Sequence, residues 1–186
     1  MTTWILNGLA VNPETGALEK KHLKVENGKV AAWADGADSP DTEGAEVIDA
    51  EGKLISPGFI DMHAHLREPG FEYKETIATG TLSAAKGGFT TIACMPNTRP
   101  VTDSPETVRL VLEKAASEGA VKVLPYAAIT KNELGRELTD FAALKEAGAI
   151  GFTDDGVGVQ NAQMMKNAMA LAKSLGLPII AHCEDD

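Results

Sequence analysis

From residue 56 onward, short apolar runs alternate with longer amphipathic stretches, and such an alternation is compatible with few folds. The apolar runs are nearly continuous, which is typical of strands in a parallel sheet covered on both faces. Repeated strand–helix units predict an α/β fold, either a doubly wound sheet or a (β/α)8 barrel of the TIM type. Five strand positions are recognisable: 58–63, 90–95, 121–127, 149–153 and 178–182.

Two of the stretches between these runs carry helix signals. Ser104 followed by Pro105 is typical of an N-cap and a first helical position, and Gly119 is a suitable stop. The later stretch begins at Asn161, a second N-cap candidate, and ends near Gly176. Its spacing predicts a buried stripe of Met164, Ala168, Leu171 and Leu175.

Polar side chains follow the predicted strands at their carboxyl ends. A barrel gathers such positions into one ring, where the active sites of this fold lie, whereas an open sheet spreads them along a crevice. We therefore favour the barrel. Five strands cannot close it, so we expect the chain to be the N-terminal part of a longer protein. The positions concerned are His63, His65, Asn97, Thr130, Asp154, Asp155, His182 and Glu184.

The sequence pattern of residues 1–55 differs from that of the rest and predicts short strands and turns. Asn27-Gly28 between two such runs predicts a two-residue hairpin. The stretch 35–44 is rich in Asp, Gly, Ser and Pro and is typical of an exposed loop. We predict a small β-sandwich module over residues 1–55, completed by further chain, and the first part of the barrel over residues 56–186.

Charge and cysteine content limit the class of protein. The formal net charge of −10 argues against nucleic acid and anionic membranes as partners, because both attract basic surfaces. No apolar run reaches the roughly 18 residues of a membrane span, and the start of the chain lacks a signal-peptide pattern. Cys94 and Cys183 are predicted to be buried, reduced thiols, and His22 a solvated surface residue. These features favour a cytoplasmic protein.

A set of metal-ligand side chains follows three of the strands. His63 and His65 are separated by one residue, so their imidazoles point to the same face and can share one metal ion. A pair of hydrogen-bonded loop histidines would show the same spacing. His182 follows another strand, and Asp154-Asp155 follows a third, where a turn or helix cap is the alternative. Imidazole and carboxylate together suit zinc, with manganese or cobalt as alternatives.

Three motifs carry a resemblance to a known family. The run 57–70, which contains both neighbouring histidines, resembles the metal-binding opening of the amidohydrolase superfamily. With Met-Pro-Asn-Thr at 95–98 and Gly-Phe-Thr-Asp-Asp-Gly at 151–156, it is similar to the bacterial dihydroorotases of pyrimidine biosynthesis. The resemblance covers almost the whole chain. It implies reversible cyclisation of N-carbamoyl-L-aspartate to L-dihydroorotate on the path to UMP, by a zinc-bound hydroxide.

The resemblance also implies a centre of two zinc ions. His63 and His65 would bind the first ion and His182 the second, with Glu184 orienting the site. A later histidine would complete the second zinc site, and a later aspartate would transfer the proton. Both are expected beyond residue 186.

The bridging ligand between the two metals follows from the same resemblance. Many superfamily members use a carboxylated lysine, but this chain has no lysine between residues 149 and 166. The dihydroorotases that it resembles use an aspartate, for which Asp155 is the matching position. Asp154 is the neighbouring alternative.

Three residues are implied at the substrate, which carries a carboxylate. Arg67 would form a bidentate pair with this carboxylate, and Asn97 and His65 would add polar contacts. The alternative for Arg67 is a surface salt bridge with Glu68 or Glu72. The alternative for Asn97 is a turn residue.

Two other functions fit parts of the pattern. Another cyclic amidohydrolase, such as a hydantoinase, dihydropyrimidinase or allantoinase, is the nearest, although those enzymes usually have the bridging lysine. A non-catalytic dihydroorotase-like subunit of aspartate transcarbamoylase is the other, although buried imidazoles serve no purpose in a scaffold. Homodimers are common in the family and are a further expectation. We expect residues 1–186 alone to be inactive.

Overall fold

The computed structural model describes residues 1–12 and 14–184, and the chain divides into two compact units, Met1–Pro57 and Gly58–Asp186. The strands of the first unit are β1 (Thr2–Val11), β2 (Leu18–Glu26), β3 (Lys29–Asp35), β4 (Glu46–Asp49) and β5 (Leu54–Ile55). They form one mixed sheet in the order β3-β2-β1-β4, in which β5 also pairs with β1. β2 is antiparallel to its two neighbours, whereas β4 and β5 run parallel to β1.

The turn between β2 and β3 confirms the predicted hairpin. Asn27 and Gly28 have φ angles of 50° and 75°. These are the left-handed values that a type I′ turn requires at both central positions. Glu26 pairs with Lys29 across the turn, so the Asn-Gly dipeptide sets the register of the two strands.

The prediction that His22 is a solvated surface residue was wrong. His22 is buried, with 3% of its surface exposed. Strand β1 is irregular between Ile5 and Gly8, and the backbone N–H of Asn7 in this irregularity donates to Nδ1 of His22 at 3.0 Å. The imidazole therefore satisfies a backbone donor that the strand pairing leaves free. Residue alternation in β2 could not reveal an irregularity in the partner strand.

The second unit is built from parallel strands joined by helices, as predicted. Strands β6 (Phe59–Ala64), β7 (Phe89–Cys94) and β8 (Lys122–Pro125) form a parallel sheet in this order. The helices are α1 (Ile77–Lys86), α2 (Pro105–Glu118), α3 (Phe141–Ala147) and α4 (Ala162–Leu175), with a short 3-10 helix at Lys131–Glu133.

The fourth and fifth predicted strands are present only as short pairing segments. Phe152 forms one parallel bridge with Ala127 and another with Ile179. Backbone hydrogen bonds on both sides of Phe152 extend this pairing by a residue. The parallel order therefore continues from β8 through residues 150–153 to residues 178–180. The carboxyl ends of all five segments consequently lie at the same edge, where the predicted site residues occur.

Helices α2 and α4 begin and end where the sequence predicts. Ser104 caps α2 with Pro105 as its first residue, and Gly119 is the C-cap. Asn161 caps α4, which stops at Gly176 in the left-handed conformation. In residues 1–12 and 14–184, none of the helices combines the length and apolar character that a membrane crossing needs.

The buried face of α4 differs in part from the predicted stripe. Ala168 is buried as expected, but Leu171 is 44% exposed and Ala172 is buried instead. Both alanines belong to a core cluster that contains Phe141 and Phe152, whose rings stack at 3.8 Å. The large rings fill the space below the helix, so small side chains suffice on α4 at this contact.

The two cysteines differ from each other. Cys94 is buried at the end of β7, and burial raises the pKa of its thiol to about 12. Cys183 is exposed, so the prediction of two buried thiols was wrong for this residue. Cys183 lies past the last bridge, at Ile179, where the chain has already left the sheet.

Candidate metal centre

The end of β6 places two imidazoles side by side. His63 lies in β6 and His65 follows the last residue of the strand. The centroids of their rings are 5.2 Å apart. The side chain of His63 is half-exposed, and that of His65 is more deeply set. The spacing of one residue in extended chain thus puts both rings on one face, as predicted.

The carboxylate of Asp155 lies among three imidazoles. Its Oδ1 is 3.4 Å from Nε2 of His63 and 3.6 Å from Nδ1 of His182. Its Oδ2 is 3.4 Å from Nε2 of His65. The side chain of Asp155 is buried. The donor atoms of His63, His65 and Asp155 all lie within 4.8 Å of one another, and two imidazoles with one carboxylate suit a zinc-like ion.

Asp154 has a different environment from its neighbour. Its Oδ1 accepts the backbone N–H groups of Ile129 at 2.7 Å and Thr130 at 3.0 Å, and the Thr130 hydroxyl donates to Oδ2 at 2.5 Å. Burial raises the pKa of Asp154, and these hydrogen bonds partly oppose the increase. The Asp154 carboxylate therefore fixes the chain after β8, whereas the Asp155 carboxylate faces the histidines.

The side-chain amide of Asn97 joins two of the candidate ligands. Its Nδ2 donates to Oδ2 of Asp155 at 3.2 Å and to the backbone oxygen of Asp155 at 3.3 Å. Its Oδ1 lies 3.0 Å from Nδ1 of His65. Because Oδ1 is an acceptor only, Nδ1 of His65 carries the hydrogen in this arrangement. The Nε2 lone pair of His65 is then free to bind a metal ion.

His182 is held by a carboxylate from its own segment. Its Nε2 is 2.8 Å from Oε2 of Glu184, while Nδ1 faces Asp155. The hydrogen bond with Glu184, together with the charge of Asp155, raises the pKa of His182. Glu184 is thus placed to orient the ring.

Arg67 lies in the turn that follows β6, two residues after His65. It is partly buried, with a left-handed φ of 63°. Glu68 and Glu72, the alternative salt-bridge partners predicted for Arg67, have other contacts. Glu68 pairs with Lys114, and Glu72 accepts the backbone N–H of Gly70 at 2.8 Å.

Sequence reasoning missed Glu133. Its Oε1 is buried with no hydrogen-bond partner among the described residues. Burial, followed by the charges of Asp154, Asp155 and Asp103, raises the pKa of Glu133 to about 8. Asn132 and Glu133 both have left-handed φ angles, of 54° and 57°. The sequence Lys-Asn-Glu-Leu-Gly has the composition of an ordinary exposed turn, so it carries no signal of this placement.

Comparison with known proteins identifies the family of the chain. Residues 52–186 match the model of the dihydro-orotase-like family. The chain belongs to this family. Dihydroorotases of this kind are metal-dependent, and the group of His63, His65 and Asp155 can hold a metal ion.

Curated relatives of this dihydro-orotase-like chain are named dihydroorotases. It is 56% identical over 186 residues to the dihydroorotase of Geobacillus thermodenitrificans (strain NG80-2) and 58% identical to that of Geobacillus sp. (strain WCH70). In both cases the match covers 100% of this chain and 43% of the relative. The chain therefore spans less than half the length of these relatives.

Solved structures show the same fold. An L-hydantoinase (dihydropyrimidinase) from Arthrobacter aurescens is 26% identical, with a TM-score of 0.85 over 99% of this chain and 41% of its own. A crystal structure of a dihydroorotase is 16% identical, with a TM-score of 0.62 over 96% of this chain and 50% of its own. The second unit consequently contains the first strand–helix units of an amidohydrolase TIM barrel.

Proposed function

We propose that the protein is a metal-dependent dihydroorotase that interconverts N-carbamoyl-L-aspartate and L-dihydroorotate in the pyrimidine (UMP) pathway. The observation that carries the proposal is the Asp155 carboxylate surrounded by His63, His65 and His182 in a member of the dihydro-orotase-like family. The names of relatives that are 55–58% identical over the whole chain support the same activity.

The ligand assignment is part of this proposal. Each full-length subunit would hold two zinc ions, the first through His63 and His65 and the second through His182. Asp155 would be a ligand of both, because its carboxylate lies 3.4 Å from Nε2 of His63 and 3.6 Å from Nδ1 of His182. Bound zinc supplies Lewis acidity, which polarises an amide carbonyl and lowers the pKa of water towards neutrality. A further histidine ligand and the aspartate that transfers the proton are proposed in the length of the relatives that this chain does not span.

The neighbouring residues of the chain orient these ligands and the substrate. Asn97 keeps the Nδ1 hydrogen of His65 engaged, so that Nε2 stays directed at Asp155. The guanidinium of Arg67 offers two parallel donors to the substrate carboxylate. Asn97 would add a polar contact to the same substrate through the second lone pair of its Oδ1, and His65, whose two ring nitrogens are engaged, would lie beside it.

A hydantoinase-type cyclic amidohydrolase is the second candidate. The TM-score of 0.85 with an L-hydantoinase favours it. Asp155 in place of a lysine, and Arg67 after the histidine pair, favour dihydroorotate. Rates with dihydroorotate, hydantoin and allantoin distinguish the two, since only the first substrate carries the carboxylate on its ring. A cytoplasmic location, a homodimer and association with aspartate transcarbamoylase remain predictions.

The decisive experiment is metal analysis of the full-length protein with a dihydroorotate assay before and after chelation. We expect two zinc equivalents per subunit and loss of turnover on chelation, with recovery on adding zinc back. The variant Glu137→Gln is a suitable control, because Glu137 is exposed and pairs only with Lys131 among the described residues. Full turnover by metal-free protein would contradict the proposal. Residues 1–186 alone are expected to show no turnover.

A further inference from the structure

Glu68 is a buried carboxylate outside the group of candidate metal ligands. It follows Arg67 directly, and 3% of its surface is exposed. Its Oε2 accepts the backbone N–H of Ile77, the first residue of α1, at 2.8 Å. Its Oε1 forms an ion pair with Nζ of Lys114 in α2. A buried carboxylate is costly unless it is paired, and here both of its oxygens have partners.

These two partners come from different helices, so the carboxylate fixes the turn after β6 against both. Helix α1 does not depend on Glu68 for its start. Thr76 is the N-cap and forms a reciprocal capping box with Thr79. Glu68 therefore accepts the N–H of Ile77, which the Thr76 cap leaves free. We infer that this contact serves to hold the turn that contains Glu68.

The turn itself needs to be held. Arg67 has a left-handed φ of 63°, a conformation that a long side chain adopts only where the surroundings impose it. On one side, Leu66 is buried in an apolar cluster. On the other, Pro69 accepts the backbone N–H of Arg99 at 2.9 Å, and Gly70 lies so close to Arg99 that a Cβ atom would be 2.0 Å from its backbone oxygen. Glu68 supplies the charged anchor between these two fixed points.

We propose that Glu68 is a positioning residue, which with Lys114 and the first N–H of α1 holds the Arg67 turn so that the guanidinium meets a substrate carboxylate. The inference rests on the proposed function, because it assumes a substrate with a carboxylate beside the ring amide. Glu68 acts through Arg67 and does not touch the metal ligands. Its loss is therefore expected to weaken substrate binding and to leave the metal content unchanged.

The test is a double-mutant cycle in the full-length protein, with the variants Glu68→Ala, Arg67→Ala and the double variant. We expect Glu68→Ala to raise KM for dihydroorotate about tenfold with a smaller change in kcat. In the Arg67→Ala background, the same substitution should change KM by less than about twofold, because the interaction it supports is already gone. Glu68→Gln keeps an acceptor for Ile77 and should recover part of the loss.

Lys114→Met provides an independent variant if Glu68→Ala folds poorly, since Lys114 is partly exposed in α2. It should raise KM in the same direction, whereas the exposed control Glu137→Gln should not. The positioning role would be overturned if Glu68→Ala changed KM equally in the wild-type and Arg67→Ala backgrounds. Loss of bound zinc in Glu68→Ala or in Lys114→Met would overturn it as well. If those results are found while the wild-type protein turns over dihydroorotate, the positioning role fails and the proposed function stands. Absence of dihydroorotate turnover in the wild type would instead remove the proposed function.

Discussion

The candidate ligands are held in two different ways at the two ends of the row of strands. His63 lies in β6, which pairs with β7 on both sides of an irregularity between Asp61 and Ala64, and His65 follows the strand. Asn97 ties His65 to Asp155 by hydrogen bonds. His182 lies in residues 178–184, which join the sheet through a single bridge at Ile179. Its hydrogen-bonded carboxylate, Glu184, is exposed and comes from the same segment. The first half of the site is therefore joined to the sheet by several strand pairs and by Asn97, whereas the second half is joined to it by one bridge.

Removal of Asp155 should have the largest effect, because this residue connects the two halves. We expect Asp155→Ala in the full-length protein to lose bound zinc and at least about a thousandfold of kcat/KM for dihydroorotate. Metal content and steady-state kinetics measure both. Retention of two zinc equivalents by this variant would show that the halves are joined by another group.

Asp154→Ala is the matched control for this prediction. Asp154 binds the chain after β8 and does not face the histidines. Its removal should lower the free energy of unfolding by about 1–3 kcal/mol, because two buried N–H groups lose their acceptor. Its zinc content at low temperature should stay close to that of the wild type.

The hydrogen bonds that orient the two histidines should differ in importance. Asn97→Ala should weaken zinc binding about 10–100-fold, because it removes the acceptor that fixes the tautomer of His65. Glu184→Gln should weaken zinc binding less than about tenfold, because Glu184 is mostly exposed and Gln keeps an acceptor. Competition with a chelator of known affinity measures both. A larger loss of zinc affinity in Glu184→Gln than in Asn97→Ala would contradict this, because it would mean that the hydrogen bond to His182 matters more than the one to His65.

Labelling of the two cysteines tests the same difference between the two halves of the site, and we expect the smallest effect on activity here. At pH 8, Cys183 should react with an alkylating reagent at least about a hundredfold faster than Cys94, whose burial raises its pKa to about 12. Zinc should slow the labelling of Cys183, since its neighbour His182 is a proposed ligand. Cys183→Ser should change kcat by less than about twofold. Equal labelling of both cysteines, or no influence of zinc, would remove the contrast between the two halves.

Local signals allowed much of the fold to be predicted. Asn27-Gly28 predicts the hairpin, and Ser104-Pro105 predicts the start of α2, because turns and caps depend on a few adjacent residues. The position of His22 was not predictable in this way. Its burial follows from an irregularity in a different strand, which residue periodicity in β2 does not encode.

The same distinction applies to the site. The parallel order of strands was enough to expect His63, His65, Asp155 and His182 at one edge. The choice between Asp154 and its neighbour was not predictable, since adjacent residues differ only in the direction of their side chains. The placement of Glu133 depends on two left-handed residues in a turn, and a single sequence gives no sign of them.

The aspartate among the three imidazoles has a consequence for how such a centre assembles. A carboxylated lysine exists only after its amine has reacted with carbon dioxide, so a lysine-bridged centre depends on dissolved carbon dioxide as well as metal. Asp155 carries its carboxylate from translation onward. On the proposed assignment, the bridged centre would form from the chain and metal, without carbon dioxide as a further reactant.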